Sequence, residues 1–385
     1  MKILIISEVN SLCKYGGGET FNRELIKYLL NQGHEVLECT AFIGQKFSRY
    51  ENLYEKNKNY HLVYSKIFQK HPNKIKQNII DHWKFNKDLE KFLDNKDFDL
   101  IISSCYLLNF VKIKKRDNFI QVCHDDPEIL VTGGKSKSKI IFWIKYFFNS
   151  MLNFGNIFLN VKNVIFSDVK TQQKLLSFSS KFEKIQKFII PYPINELSFD
   201  FKQIENQKEE NNKEVIWIGR MIKHKKNIKY LNEVSKYLEK DNVKINVYGI
   251  GRAKKYLNSK NIIHHGWIDD GLKKYKALIK NKVFLMVSKF EGFPLVLIES
   301  LSVGTPIVAL NNFPSINFLN NSDGVFVLDS NTKAKKYAEK IVEIINLNKK
   351  EYLQLVKENL EFYKENLSNK KFYENIDNLL EHFKK

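Results

Sequence analysis

The strongest constraint on the fold is a repeated alternation of short apolar runs with amphipathic stretches along the chain. Residues 2–7, KILIIS, are apolar and β-branched, and residues 19–33 follow with apolar side chains at helical spacing and a terminal glycine. Further apolar runs stand near residues 35, 99, 118 and 163. Strands that alternate with helices in this way predict a parallel sheet with helices on both faces.

A second series of the same kind begins after residue 212, with the runs EVIWIG, KINVYG, IIHHGW, VFLMVS, PIVAL and GVFVL. Residues 191–212 between the two series are turn-rich and then charged, which is typical of a linker. A chain of 385 residues also exceeds one ordinary core. We predict an α/β fold of two doubly wound, Rossmann-like domains facing a central cleft. The predicted parts are an N-terminal domain (1–195), a linker (196–212), a C-terminal domain (213–350) and C-terminal helices that pack back on the N-terminal domain (351–385).

The N-terminus and the cysteines indicate a cytoplasmic protein. The first residues lack the basic start, long apolar region and cleavage site of a signal peptide. The four cysteines are scattered without metal-ligand spacing, so we expect free thiols in a core, in a reducing compartment. The net charge of +20 has two interpretations that stay open: an anionic partner, or a chain generally rich in lysine.

Two glutamates flank the predicted start of a helix in KFEGFPLVLIES. We expect Pro294 at the first helical position, so that the N–H groups of Gly292 and Phe293 lie at a helix N-terminus, where anions bind. Glu291 and Glu299 then point out of the same strand–helix corner, and carboxylate oxygens suit vicinal hydroxyls. The alternative is a pair of solvated surface glutamates.

Two more loops at predicted strand ends carry residues suited to phosphate. Arg220 stands after the run VIWIG with Lys225 and Lys226 close behind, and such cations can clamp phosphate oxygens. The alternative is a solvated basic turn. The glycine loop YGGGETF lets the backbone approach a ligand, but it matches neither GxGxxG nor a P-loop. The same is true of VYGIGR, which has no third glycine.

Together these motifs resemble the large family of retaining glycosyltransferases with the GT-B fold, glycosyl transferases group 1 (family GT4). The similarity is strongest over residues 213–330 and weaker at 1–40, 122–126 and 163–168. It implies that Glu299 holds the ribose hydroxyls of a nucleotide sugar and Glu291 a hydroxyl of the donor sugar. The resemblance further implies catalytic roles for Glu291, Arg220, Lys226 and His124, and donor binding by Gly16, Gly17, Lys225, Gly249, Gly292, Phe293 and Glu299.

The resemblance also implies the reaction. Arg220 and Lys226, with Lys225 as the second choice of lysine, neutralise the departing diphosphate. No DxD triplet stands in a suitable position, so we expect no metal or other cofactor. No nucleophile stands out either, which favours attack by the acceptor on the front face. Pro294 and Asn227 replace the glycines that are commonest in the family at these positions, and the EGFP form favours a UDP-hexose donor.

Only residues 139–160 give information on the acceptor. They form an apolar and aromatic stretch with a narrow polar stripe, and Lys135, Lys137 and Lys139 stand at its start. It is too short to span a membrane. One interpretation is a helix that lies on anionic lipid at the inner face of the cytoplasmic membrane and presents a surface-polysaccharide, lipopolysaccharide or lipid-linked acceptor. The other interpretation is a core helix. Other functions are a GT-B epimerase or hydrolase and a non-catalytic binding protein. Nucleic acid is not expected, because the lysines do not gather along one groove.

Overall fold

The structure, a computed structural model, forms two compact units that are described here one at a time. The first unit comprises Met1–Pro193 and Phe372–Lys385, and the second comprises Ile194–Lys371. The structure describes residues 1–12, 16–42, 53–54, 56–64, 79–93, 96–105, 116–125, 140–141, 144, 161–177, 180–197, 199–207, 212–222, 225–268 and 271–384.

The first unit is built on a seven-stranded sheet in the order β3-β2-β1-β4-β5-β6-β7, with every described pair parallel. The order turns back at β1, so β1 and β4 are neighbours although two strands separate them in the chain. The strands are β1 (Lys2–Val9), β2 (Glu35–Phe42), β3 (Tyr60–Tyr64), β4 (Leu100–Ser103), β5 (Phe119–Cys123), β6 (Asn163–Phe166) and β7 (Gln186–Ile189).

Helices of the first unit cover this sheet. In the first of them Phe21, Leu25 and Leu29 are buried at the predicted spacing, and Gly33 follows with a positive φ of 78° that ends the helix. All residues of β4, β5 and β6 are buried, as expected for strands packed on both faces. The helices are α1 (Gly17–Asn31), α2 (Ile79–Leu93), α3 (Val169–Leu176) and, near the C-terminus, α11 (Asn369–Phe383).

The second unit has a six-stranded parallel sheet in the order β10-β9-β8-β11-β12-β13. Its order turns back at β8, which pairs with β9 on one side and β11 on the other. All six strands were predicted from the sequence. They are β8 (Glu214–Ile218), β9 (Lys244–Tyr248), β10 (Ile262–Gly266), β11 (Val283–Met286), β12 (Ile307–Leu310) and β13 (Val325–Leu328).

The helices of the second unit follow its strands in the expected alternation. The last of them begins with a capping box, in which Asn348 and Glu351 each accept a hydrogen bond from the other's backbone N–H. The helices are α4 (Phe201–Gln207), α5 (Ile228–Leu238), α6 (Gly271–Lys280), α7 (Leu295–Leu301), α8 (Pro314–Leu319), α9 (Ala334–Ile345) and α10 (Lys349–Asn366).

The C-terminal segment forms two helices, α10 and α11, as the sequence indicates. Most of α11 belongs to the first unit, where Tyr28 of α1 donates a hydrogen bond to Asp377 at 2.6 Å and stacks on Tyr373. Residues 196–212 contain α4 and lie within the second unit. The boundaries of the functional domains given above remain predictions.

Candidate functional site

The predicted donor residues of the second unit lie at the point where its strand order reverses. Arg220 follows β8 and Glu291 follows β11, and these two parallel strands are neighbours. Open parallel sheets bind ligands at the carboxyl ends of their strands at such a reversal. The topology therefore brings the basic loop after β8 beside the glutamate loop after β11.

A lysine and a glutamate join these two loops directly. The Nζ atom of Lys226 donates to Oε1 of Glu291 at 2.5 Å, and the two side chains are only 15% and 9% exposed. The backbone also connects the loops, because the N–H of Lys289 donates to the carbonyl of Lys225 at 2.8 Å. Of the two predicted lysines, Lys226 is thus the one whose ammonium contacts a predicted site carboxylate.

Asn227 explains how the basic loop turns into α5. It has a left-handed conformation with φ of 52° at the N-cap of α5. Apart from glycine, asparagine is among the few residues that adopt this conformation readily. The asparagine that departs from the commonest family pattern therefore supports the same turn.

The second glutamate is held by a lysine that the sequence did not single out. Glu299 on α7 accepts a hydrogen bond from Nζ of Lys274 on α6, and the side chains are 9% and 23% exposed. The alternative of two solvated surface glutamates is wrong for this fold, since both carboxylates are buried and each contacts its own lysine. Nothing in the local sequence KKYK marks Lys274, because its partner is brought to it only by the packing of α6 against α7.

The turn before α7 differs by one residue from the prediction. The helix begins at Leu295, so Pro294 is its N-cap in an extended conformation and not its first helical residue. Gly292 and Phe293 precede the cap, and Ser315 donates to the Gly292 carbonyl at 2.6 Å. Phe293 is buried against Phe318. The Gly292 carbonyl and the Phe293 ring are thus fixed by side chains of α8.

The loops after β8 and β9 touch backbone to backbone. A Cβ atom at Gly249 would lie 2.0 Å from the carbonyl oxygen of Gly219, a distance that no side chain tolerates. At Gly251, φ is +142°, and a Cβ would approach the Met221 carbonyl to 2.6 Å. Gly249, predicted to bind the donor, therefore has a clear structural role in fixing the loop that carries Arg220.

An apolar cavity of about 590 Å³ opens over the carboxyl ends of β8, β9 and β10. Trp267, which is 41% exposed, forms part of its wall, and cationic side chains surround it. The sequence analysis did not identify this cavity, because its walls come from loops separated in the chain. Its lining residues are Arg220, Met221, Ile222, Ile250, Gly251, Arg252, Ala253, Lys255, Tyr256 and Trp267.

In the first unit, His124 follows β5 and lies against the glycine loop. A Cβ added to Gly18 would be 3.6 Å from Nε2 of His124. Gly16 is the N-cap of α1 and Gly17 its first residue. The glycine that the structure places beside the predicted histidine is Gly18, which follows the predicted Gly16 and Gly17.

His124 is held as a neutral ring in one orientation. Tyr192 has a single hydroxyl hydrogen, which it donates to the carbonyl of Cys123 at 3.0 Å, so its oxygen accepts the Nδ1–H of His124 at 2.5 Å. Burial lowers the pKa of His124 to about 3. The sequence did not predict Tyr192, since it lies in the stretch interpreted as the start of the linker.

A buried carboxyl group fixes the loop that leads from β1 towards α1. Glu38 on β2 is fully buried and accepts hydrogen bonds from the N–H and hydroxyl of Ser11 at 2.9 and 2.8 Å and from the Tyr60 hydroxyl at 2.7 Å. Ser7 donates a further bond at 3.2 Å. Burial raises the pKa of Glu38, and these bonds oppose that shift. One acid in an apolar strand is the only feature of the sequence that points to this network.

Several predictions fall partly or wholly outside the described residues. Of the lysine-flanked segment 135–160, only Ile140, Ile141 and Ile144 are described, and all three are exposed, so the membrane prediction lies outside the described ranges. Cys39, Cys105 and Cys123 are buried free thiols, as predicted, whereas Cys13 is not described. Within the ranges given above, no helix is long and apolar enough to cross a membrane, and no group of three or more His, Cys, Asp or Glu side chains could hold a metal.

Comparison with known families agrees with the site of the second unit. Residues 198–362 match the family model of glycosyl transferases group 1, and this stretch includes the loops of Arg220, Lys226 and Glu291 and the helices of Lys274 and Glu299. The chain carries a glycosyl transferases group 1 domain. The match lies entirely within the second unit, which accounts for the resemblance being strongest there.

Two relatives of this chain are named for a cps region and for colanic acid biosynthesis. It is 30% identical over 145 residues to an uncharacterized 41.2 kDa protein in the cps region of Klebsiella pneumoniae, covering 37% of this chain and 38% of that protein. It is 26% identical over 113 residues, 29% of this chain and 25% of the relative, to an Escherichia coli K12 protein whose provisional name is colanic acid biosynthesis glycosyl transferase WcaC. The chain thus matches well under half of the length of either relative.

Solved structures confirm the fold over the whole chain. Sucrose-phosphate synthase from Thermosynechococcus elongatus matches with a TM-score of 0.74 at 15% identity, covering 99% of both chains. Anabaena Alr3699/HepE in complex with UDP matches with a TM-score of 0.66 at 13% identity, covering 99% of this chain and 100% of that one. The predicted α/β class and GT-B fold are therefore confirmed.

Proposed function

We propose that the protein is a retaining glycosyltransferase that moves a hexose or N-acetylhexosamine from a UDP-sugar to a saccharide acceptor. The observation that carries this proposal is the arrangement at the strand reversal of the second unit. There, Glu291 and Glu299 are each buried against a lysine, within a domain that matches the glycosyl transferases group 1 family.

The cations of the basic loop would receive the diphosphate of the donor. Arg220 presents a planar fork of N–H donors at the end of β8, suited to phosphate oxygens. The ammonium of Lys226 has three N–H donors, of which Glu291 receives one, so two remain for phosphate. Positive charge at this position stabilises the negative charge that develops on the leaving diphosphate.

The two glutamates would receive hydroxyl groups of the donor. A carboxylate has about four lone-pair positions on its two oxygens. Lys274 contacts Oε1 of Glu299, and Lys226 contacts Oε1 of Glu291, so with respect to the described residues Oε2 is left in each case to accept from a sugar. We assign Glu299 to the ribose and Glu291 to the transferred sugar, as the family resemblance implies.

The cavity beside Arg220 suits the base of the nucleotide. It combines an exposed tryptophan face with apolar walls, which favours stacking of a planar base, and Arg220 lines the same cavity. The HepE structure is described in complex with UDP and also with UDP-glucose. Both points support a UDP-sugar as the donor.

The reaction we propose keeps the anomeric configuration. The bond between the anomeric carbon and the phosphate oxygen breaks, and its electron pair goes to the diphosphate. The acceptor hydroxyl attacks the same face of the sugar, and its proton passes to the departing phosphate oxygen. The residues named above then act by positioning the donor and by stabilising charge, which are the main sources of rate in such transfers.

The acceptor that we propose is a precursor of a surface polysaccharide, a lipopolysaccharide or a lipid-linked oligosaccharide. The cps-region and colanic acid relatives support a polysaccharide product. The interfacial helix predicted over residues 139–160 would keep such an acceptor at the inner face of the cytoplasmic membrane, where the protein would lie peripherally.

The first experiment is thermal unfolding of wild type and Glu299→Ala with a panel of UDP-, GDP-, ADP- and dTDP-sugars. A ligand at a hundred times its Kd adds about 2.7 kcal/mol of stability. We expect a rise in Tm with UDP-sugars that is lost in the variant. Product analysis with the stabilising donor must then show a glycosylated acceptor. Absence of any stabilisation, or formation of an epimer or free sugar alone, would contradict the proposal.

A further inference from the structure

Lys274 occupies a position that helix stability does not explain. It lies in the first turn of α6, beside Lys273, and this turn contains no acidic residue. The N-terminus of a helix carries partial positive charge, so a lysine there is unfavourable by about 0.3–1 kcal/mol.

The ion pair with Glu299 does not explain the lysine by stability either. Both side chains are largely buried, and replacing a buried ion pair by apolar residues of similar size is often neutral or stabilising. Removing only one partner is costly, because the other charge stays buried. Lys274 is therefore required by the buried charge of Glu299, and the function of Glu299 must explain the pair.

The same arrangement occurs twice in this unit. Glu291 is contacted by Lys226 from the loop after β8, and Glu299 is contacted by Lys274 from α6. In both pairs the lysine engages Oε1, which restrains the carboxylate, and within the described residues the second oxygen keeps its lone pairs. A glutamate side chain has three rotatable bonds, and fixing it before a ligand arrives lowers the entropy lost on binding.

We propose that Lys274 is a positioning residue for the nucleotide: it fixes the carboxylate of Glu299 in the orientation that accepts the ribose hydroxyls. The inference rests on the proposed function, because it takes the ribose of the donor as the ligand of Glu299. It adds to the site a residue on α6 that neither the motifs nor the family match identifies. It also predicts that the contribution of Lys274 to binding depends on the ribose hydroxyls.

The test is a cycle that combines variants of Lys274 with a change in the ligand. The Kd values of UDP and of 2′-deoxy-UDP are measured by calorimetry for wild type, Lys274→Met and Lys274→Arg. Lys276→Met is the matched control, since Lys276 lies on the exposed face of the same helix. Thermal unfolding of each ligand-free variant shows that it is folded.

We expect wild type to bind 2′-deoxy-UDP about tenfold to a hundredfold more weakly than UDP. Lys274→Met should bind UDP about tenfold more weakly, yet discriminate between the two ligands by a factor of only about two or three. Lys274→Arg should recover most of the discrimination, and Lys276→Met should behave as wild type.

Other outcomes overturn the inference. If Lys274→Met binds UDP as tightly as wild type does, Lys274 does not act through the ribose. The same follows if the variant loses as much affinity for 2′-deoxy-UDP as it does for UDP, so that the two losses multiply. If the wild-type protein binds neither UDP nor any other nucleoside diphosphate, the proposed function itself fails and takes the inference with it. A result against Lys274 alone does not contradict the proposed donor site, because wild type still binds UDP. The failure of the inference and the failure of the proposed function can therefore be distinguished.

Discussion

The two units hold their buried polar groups in opposite ways. In the second unit, the site residues are charged and paired with an opposite charge, as in Lys226–Glu291 and Lys274–Glu299. In the first unit, Glu38 accepts hydrogen bonds from serine and tyrosine, and His124 is a neutral ring held by Tyr192. Charged pairs suit a ligand with phosphates, whereas buried groups held by uncharged partners suit the placement of a loop.

The largest effect should come from removing the cation at the end of β8. Arg220→Ala should lower kcat by about a hundredfold to a thousandfold, as the loss of one charge-stabilising donor does elsewhere. The measurement is transfer from the donor found in the stability panel to acceptors in a cell-envelope extract. Lys236→Ala, an exposed cation on α5, is the control and should leave kcat unchanged. If kcat of Arg220→Ala falls by less than threefold, the charged groups of the second unit do not serve the reaction as we propose.

The next effect concerns the carboxylate of α7. Glu299→Ala should weaken UDP binding by about tenfold to a hundredfold, because hydrogen bonds to a charged group are worth about 1.5–3 kcal/mol. Calorimetric titration with UDP measures this loss. Glu339→Ala on α9 removes an exposed glutamate and should not change the Kd. Equal behaviour of the two variants would show that the buried pair is structural only.

A pair of glycine variants sharpens the contrast in loop packing. Gly249→Ala should lower the free energy of unfolding by at least about 1–3 kcal/mol, because its Cβ would lie 2.0 Å from the Gly219 carbonyl oxygen. In the first unit, Gly18→Ala should not lower stability by more than about 0.5 kcal/mol, since the nearest atom is 3.6 Å away. Urea unfolding compares them. A similar loss in both variants would mean that the loops do not differ in this way.

The last prediction is a pair of opposite pH dependences in the first unit. Unfolded His124 binds a proton near pH 6.5 and the folded protein only near pH 3, so between these values the unfolded state holds more protons and stability falls with falling pH. Glu38 has a raised pKa, so the folded state holds more protons above pH 4.5, and stability falls with rising pH through that window. His124→Gln and Glu38→Gln should each remove one of these slopes, by up to about 1.4 kcal/mol per pH unit.

The measurement for this prediction is urea unfolding between pH 4 and pH 9 for wild type and both variants. The difference from wild type should grow in opposite pH directions for the two variants. Slopes of the same sign would show that burial does not control both groups.

The sequence predicted the fold well because the signal was regular. Of the strands in the described part of the chain, eleven begin as apolar runs that alternate with helices, and they appear where expected. The missed strands, β3 and β7, lie at the two edges of the first sheet, and β7 is only partly buried, so neither gives a continuous apolar run. Edge strands form because they pair with a neighbouring strand, and a local sequence pattern carries no information about that neighbour.

The site was predictable only as far as its residues stand in continuous motifs. Arg220, Lys226, Glu291 and Glu299 lie in two such motifs, and the structure brings Lys226 and Glu291 together. Lys274 lies on α6, outside both motifs, and is recognised only by its contact with Glu299. Tyr192 was hidden for a similar reason, because its stretch has the composition of a linker while its hydroxyl contacts a histidine 68 residues earlier. Contacts between segments that are distant in the chain decide these roles, and the composition of a segment does not show which contacts it makes.

The most direct test of the central claim is hydrogen exchange of backbone amides with and without UDP. If the charged strand ends of the second unit bind the nucleotide, peptides covering residues 219–226 and 291–299 should exchange more slowly with UDP, and Glu299→Ala should lose this protection at the same UDP concentration. If neither peptide is slowed at a UDP concentration that raises the Tm of the protein, the nucleotide binds elsewhere and the account is contradicted.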